Sequence, residues 1–98
     1  MSVTNDSIVV RDNQLAAADV DGRTVVLSVG AGSYFDFNQI GTEIWNMLAE
    51  PCSVSEIFHR LSQRHQVDAE TLSRDVTPFL QILVDERLIR MVTPEELR

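Results

Sequence analysis

The chain changes character near residue 38, and this change constrains the fold more than any other feature. Before it, Val, Thr, Ser, Gly and aromatic residues gather in short runs; after it, Leu, Glu, Arg and Gln recur at helical spacing. In the first part, Asp21-Gly22 separates two β-prone runs, residues 15–20 and 24–29. An Asp-Gly pair in that position is the strongest short hairpin signal, because a two-residue turn needs positive φ at its centre. Gly30-Ala31-Gly32 makes a second turn into residues 33–37 (SYFDF). Three short strands joined by tight turns predict one antiparallel sheet. Residues 7–11 (SIVVR) read as a short edge segment, soon interrupted by Asp12-Asn13.

Three helices follow. Asn38 is a good N-cap, and over residues 39–49 Ile40, Ile44 and Leu48 fall on one stripe with Trp45 beside it. Pro51 ends that helix. Ser53-Val54-Ser55-Glu56 has the form of a capping box, in which hydroxyl and carboxylate reciprocally satisfy orphan amides. The helix that it opens buries Val54, Ile57, Phe58 and Leu61. Val67 and Asp68 are the staple and cap of a third helix reaching about residue 85, with Leu72, Val76, Phe79, Leu80 and Leu83 on one face. Pro78 lies inside it and predicts a kink or a break near Thr77. Residues 88–92 (LIRMV) read as a last short strand. The 98 residues form one domain, with residues 1–6 and 93–98 as frayed polar tails. The fold class is α+β.

Charge narrows the function. Fifteen acidic residues against eight basic ones leave a net charge of −7. A nucleic-acid binder or an anionic-membrane binder needs the opposite balance. No basic, apolar start marks a signal peptide, and the longest apolar run, residues 15–18, is far short of a membrane span. A cytoplasmic location is expected.

Catalytic and metal chemistry find little support. His59 and His65 are six residues apart on one helix and point away from each other, whereas helical zinc ligands sit three to five apart. Cys52, the single cysteine, reads as a loop residue without an identifiable base. The carboxylates are scattered and read as a solvated surface. No catalytic residue, metal or cofactor is expected.

Strands followed by three helices with a helix-turn-helix middle is a winged helix-turn-helix-like layout, which usually implies DNA. Residues 68–87 carry five acids (Asp68, Glu70, Asp75, Asp85, Glu86) and two arginines (Arg74, Arg87), however. A recognition helix of that charge is repelled by phosphates. A winged-helix transcriptional regulator is therefore the alternative of another class.

The run Thr24-Val25-Val26-Leu27-Ser28-Val29, then Ser33-Tyr34-Phe35-Asp36-Phe37-Asn38, Gly41 and Ile44-Trp45, resembles the PqqD-like family. The capped helix over residues 53–61 continues the resemblance, as do Asp75-Val76, Phe79-Leu80, Leu83 and Leu88-Ile89. It covers roughly residues 15–92. Arg87, where a Gly often precedes the Leu-Ile pair, and Pro78 depart from the family's pattern. The resemblance implies a RiPP recognition element: a non-enzymatic domain whose third strand and third helix bind the leader segment of a ribosomally made precursor peptide. It implies presentation of that leader to a processing enzyme, a leader peptidase in lasso peptide biosynthesis. The same-class alternative is a PqqD-type peptide chaperone for a radical SAM enzyme in quinone cofactor synthesis.

The residues agree with this. An edge strand carries unpaired amides and carbonyls that an extended peptide completes. Strand alternation puts Phe35 and Phe37 on the core side and leaves Tyr34 and Asp36 for the partner. The expected peptide-binding set is Ser33, Tyr34, Phe35 and Asp36 from the strand, and Arg74, Asp75, Val76, Phe79 and Leu83 from the third helix.

Overall fold

The computed structural model describes residues 3–12, 15–28 and 32–97. In chain order the strands are β1 (Ile8–Arg11), β2 (Ala16–Val20), β3 (Arg23–Ser28) and β4 (Ser33–Asp36). Then come α1 (Gln39–Met47), the two-residue β5 (Cys52–Ser53), α2 (Val54–His65), α3 (Ala69–Asp85) and β6 (Ile89–Met91). A 3-10 turn, Pro94–Leu97, closes the described chain.

The sheet expected from the turns is present, ordered β2-β3-β4 and antiparallel. Asp21 and Gly22 have φ of 53° and 82°, the two positive values that a tight hairpin demands. The first two positions of the Gly30-Ala31-Gly32 turn lie outside the described residues. A second sheet, β5-β1-β6, is new. Residues 7–11, read as an edge, contribute β1 as the central strand of that sheet. Val9 pairs with Cys52 on one side and Met91 on the other, and is fully buried.

The helices are capped as their sequence predicts. Asn38 Oδ1 accepts from the Gly41 amide at 2.8 Å, Ser53 Oγ from Glu56 at 3.1 Å, and Asp68 Oδ1 from Thr71 at 2.7 Å. The capping box is half made, because the Glu56 carboxylate turns to Arg60 at 2.9 Å. Pro78 does not break α3, which runs unbroken through it for 17 residues. Pro78 is exposed, so water can reach the carbonyl that its missing N–H leaves free.

Behind α3 the chain reverses through Arg87, at φ 62°. The Leu88 amide donates to Leu83 O at 2.9 Å and the Arg87 amide to Val84 O at 3.0 Å, the two bonds of a Schellman motif. That explains why glycine suits this position. The core gathers Ile44 and Trp45 from α1 with Leu48 at its C-cap, Ile57 and Leu61 from α2, and Leu72, Val76, Leu80 and Leu83 from α3. Residues near both limits of the described chain make contacts. Val3 is buried and its amide donates to Gln81 Oε1 at 2.8 Å, while Glu96 pairs with Arg90 at 2.7 Å. Among the described residues no helix is long and apolar enough to cross a membrane.

Candidate functional site

The free edge of β4 is set by its register. Val26 faces Phe35, and Leu27 faces Tyr34. One step beyond the strand, the Phe37 amide donates to Thr24 O at 2.8 Å. Hydrogen-bonded and non-bonded pairs alternate in an antiparallel ladder. Phe35 therefore points its amide and carbonyl at β3, and Tyr34 and Asp36 point theirs outward. Side chains follow the expected alternation. Phe37 is buried and Phe35 packs against the core, whereas Tyr34 is 72% exposed. Asp36 lies on the outer face and pairs with Arg23 at 2.8 Å, between half-exposed side chains.

Where β4 ends, a groove of about 520 Å³ opens between the start of α1, the end of α2 and the first half of α3. Its walls are mainly apolar: Ile40 and Ile44 from α1, Leu61 from α2, and Leu72, Val76 and Phe79 from α3, with Phe37 at its end. Polar groups from Asp36, Asn38, His65, Thr71 and Asp75 interrupt them. Phe37 ties the walls together, packing edge-to-face on Phe79 at 5.5 Å and tilted on Trp45 at 5.7 Å.

Gly41 sits where α1 passes closest to this aromatic pair. A Cβ there would lie 3.1 Å from Phe37 Cβ and 3.3 Å from Phe79 Cζ. A glycine inside a helix costs about 1 kcal/mol against alanine. Here the cost is offset by the close approach of Phe79 on α3 to α1.

Of the residues singled out from sequence, the structure brings Asp36, Asp75, Val76 and Phe79 together around the groove. Tyr34 and Phe35 belong to the adjoining strand edge, as does the backbone of Ser33. Arg74 is exposed outside the lining, and Leu83 is 1% exposed within the core. The contributions of α1 and α2 were not among the expected residues. Gly41 inside a helical stretch was the one local sign of them.

Elsewhere the chemistry is quiet. Cys52 stands in β5, not in a loop, and burial pushes its thiol up from the ordinary value despite Arg60 nearby. A buried thiol of that kind is a poor nucleophile. Among the described residues no three His, Cys, Asp or Glu side chains are grouped to hold a metal.

Residues 23–89 match the family described as Coenzyme PQQ synthesis protein D (PqqD). No curated protein matches the chain. A solved structure that does is "TbiB1 in Complex with the TbiA(beta) Leader Peptide", at 29% identity and a TM-score of 0.74. The likeness covers 82% of this chain and 93% of that one.

Proposed function

We propose, from the premise that the chain belongs to the PqqD family, that it is a non-enzymatic adaptor for the leader segment of a ribosomally synthesised precursor peptide. The leader adds as an extra antiparallel strand on the free edge of β4. Its side chains reach the groove between α1 and α3, and the bound leader is presented to a processing enzyme. The observation that carries this reading is the outward backbone of Tyr34 and Asp36 opening directly onto an apolar groove. Unpaired strand edges are normally blunted or covered, and an extended peptide completes one with both hydrogen bonds and side-chain pockets. The similar structure, TbiB1, is in complex with a leader peptide.

Charge supports the reading against DNA. The net charge of −7 opposes approach to phosphate, so the helix-turn-helix layout serves here as a scaffold for the edge and groove. The enzyme partner is proposed as a leader peptidase of the lasso type, from the resemblance to family members of lasso peptide biosynthesis. A radical SAM enzyme of quinone cofactor synthesis is the second reading, favoured by the family description itself.

The test is a titration with two labelled peptides, followed by fluorescence anisotropy. One is the TbiA(beta) leader, and the other is the leader of a precursor encoded beside this chain's gene. Saturable binding of at least one, with no shift of duplex DNA at low salt, supports the adaptor. DNA binding without leader binding refutes it. Adding a co-encoded peptidase or radical SAM enzyme and measuring leader cleavage or modification separates the two partners.

A further inference from the structure

Among the polar groups of the groove, His65 has a neighbourhood that dictates its chemistry. It is the last residue of α2 and lines the groove with Leu61, one turn before it. Its Nε2 lies 2.6 Å from Glu43 Oε2 on α1. The other oxygen of Glu43, Oε1, is held 3.2 Å from Arg64 Nη2. Glu43 is itself only 16% exposed at its side chain and lies outside the groove lining.

An ionised carboxylate only accepts, so a Glu43 paired with Arg64 requires His65 Nε2 to carry the hydrogen. In the neutral ring the proton on Nε2 leaves Nδ1 bare. We propose that His65 is a specificity-determining residue of the groove: a hydrogen-bond acceptor, locked in one tautomer by Glu43, that selects leaders presenting an N–H or O–H among the apolar walls. Glu43 is the positioning residue. This rests on the leader-binding reading above.

Acid reverses the selection. A second proton on the ring turns Nδ1 into a donor, and a leader donor then meets another donor. The charged group paired with His65 is Glu43 from α1, itself held by Arg64 from α2, and the same groove carries Asp36 at the end of β4 and Asp75 from α3. The Glu43 carboxylate holds a protonated ring in place without restoring its accepting nitrogen. Protonation of the ring is thus expected to weaken leader recognition.

Two measurements test this. On the free protein at pH 8, long-range proton–nitrogen NMR of the imidazoles should show His65 protonated at Nε2 only, and Glu43→Gln should lose that preference. In anisotropy titrations with the same two leader peptides, wild type should bind about tenfold weaker at an acid pH where the same NMR shows His65 doubly protonated than at pH 8, the worth of one hydrogen bond. His65→Leu should bind about tenfold weaker than wild type at pH 8 and show no further loss in acid. If His65→Leu does not fold, Glu43→Gln is titrated in its place, with weaker binding at pH 8 expected and an unchanged profile counting against the proposal. An Nδ1–H tautomer, or wild-type affinity and pH profile in the variant, overturns the inference while leaving leader binding intact. Absence of leader binding by wild type at both pH values overturns the functional reading and this inference with it.

Discussion

Proline at the two central positions of β4 distinguishes strand addition from every other way of using the groove. Tyr34 and Phe35 are neighbours, yet their amides point in opposite directions. The Tyr34 amide faces the free edge, and the Phe35 amide faces Val26 of β3. Outward backbone at Tyr34 and Asp36 offers two amides and two carbonyls, each ladder bond contributing about 0.5–1.5 kcal/mol net. Micromolar affinity needs about 8 kcal/mol, so the apolar groove must supply the remainder. Tyr34→Pro removes one donor and sets its ring against the approaching peptide. The loss should be about 1–3 kcal/mol, roughly 5- to 150-fold in Kd. Since the Tyr34 side chain is 72% exposed, the fold should stay intact. Tyr34→Ala keeps the amide and controls for the ring. Phe35→Pro breaks a ladder bond, strands the Val26 carbonyl and loses core packing, a cost of about 3–5 kcal/mol in stability. Anisotropy with a labelled leader reads the first effect, and thermal melting by circular dichroism reads the second. A Tyr34→Pro protein that melts like wild type and binds leader like wild type refutes strand addition at this edge.

Trp45 is 3% exposed against Phe37, with the Arg11 guanidinium 5.5 Å above its ring, and among the described residues its buried Nε1 has no hydrogen-bond partner. Trp45→Ala should cost about 3–5 kcal/mol in chemical denaturation. Trp45→Phe should cost under about 1.5 kcal/mol, because the orphaned N–H leaves with the indole. Arg87→Gly should raise stability by about 0.5–1 kcal/mol in the same assay, as the left-handed position stops opposing a side chain. The Thr71 amide at the start of α3 holds the Asp68 carboxyl below its usual value. Its stabilising contribution is complete above the unfolded value of about 3.9 and is lost as pH falls through the folded one. Melting temperatures below about pH 4 should therefore fall less in Asp68→Asn, which keeps an accepting oxygen without titrating, than in wild type.

What the sequence determined by itself was local. The Asp21-Gly22 hairpin, the caps at Asn38, Ser53 and Asp68, and the inward Phe35 and Phe37 each depend on residues a few positions apart. Such contacts close short loops at small entropic cost, so residue type and spacing suffice to read them. Tertiary structure alone decided the rest. β1 became a central strand only because Val9 meets Cys52 and Met91, partners more than forty and eighty residues away. Pro78 stayed within α3 because its face of the helix is exposed. Leu83 had the same helical spacing as Phe79, yet packing sent Leu83 into the core and Phe79 to the groove. Three helices and the end of a strand converge to form that groove, bringing Ile40, Leu61 and His65 beside Phe79. Periodicity marks which face of each helix is apolar, but how the helices pack decides which part of that face is covered and which stays open to a partner.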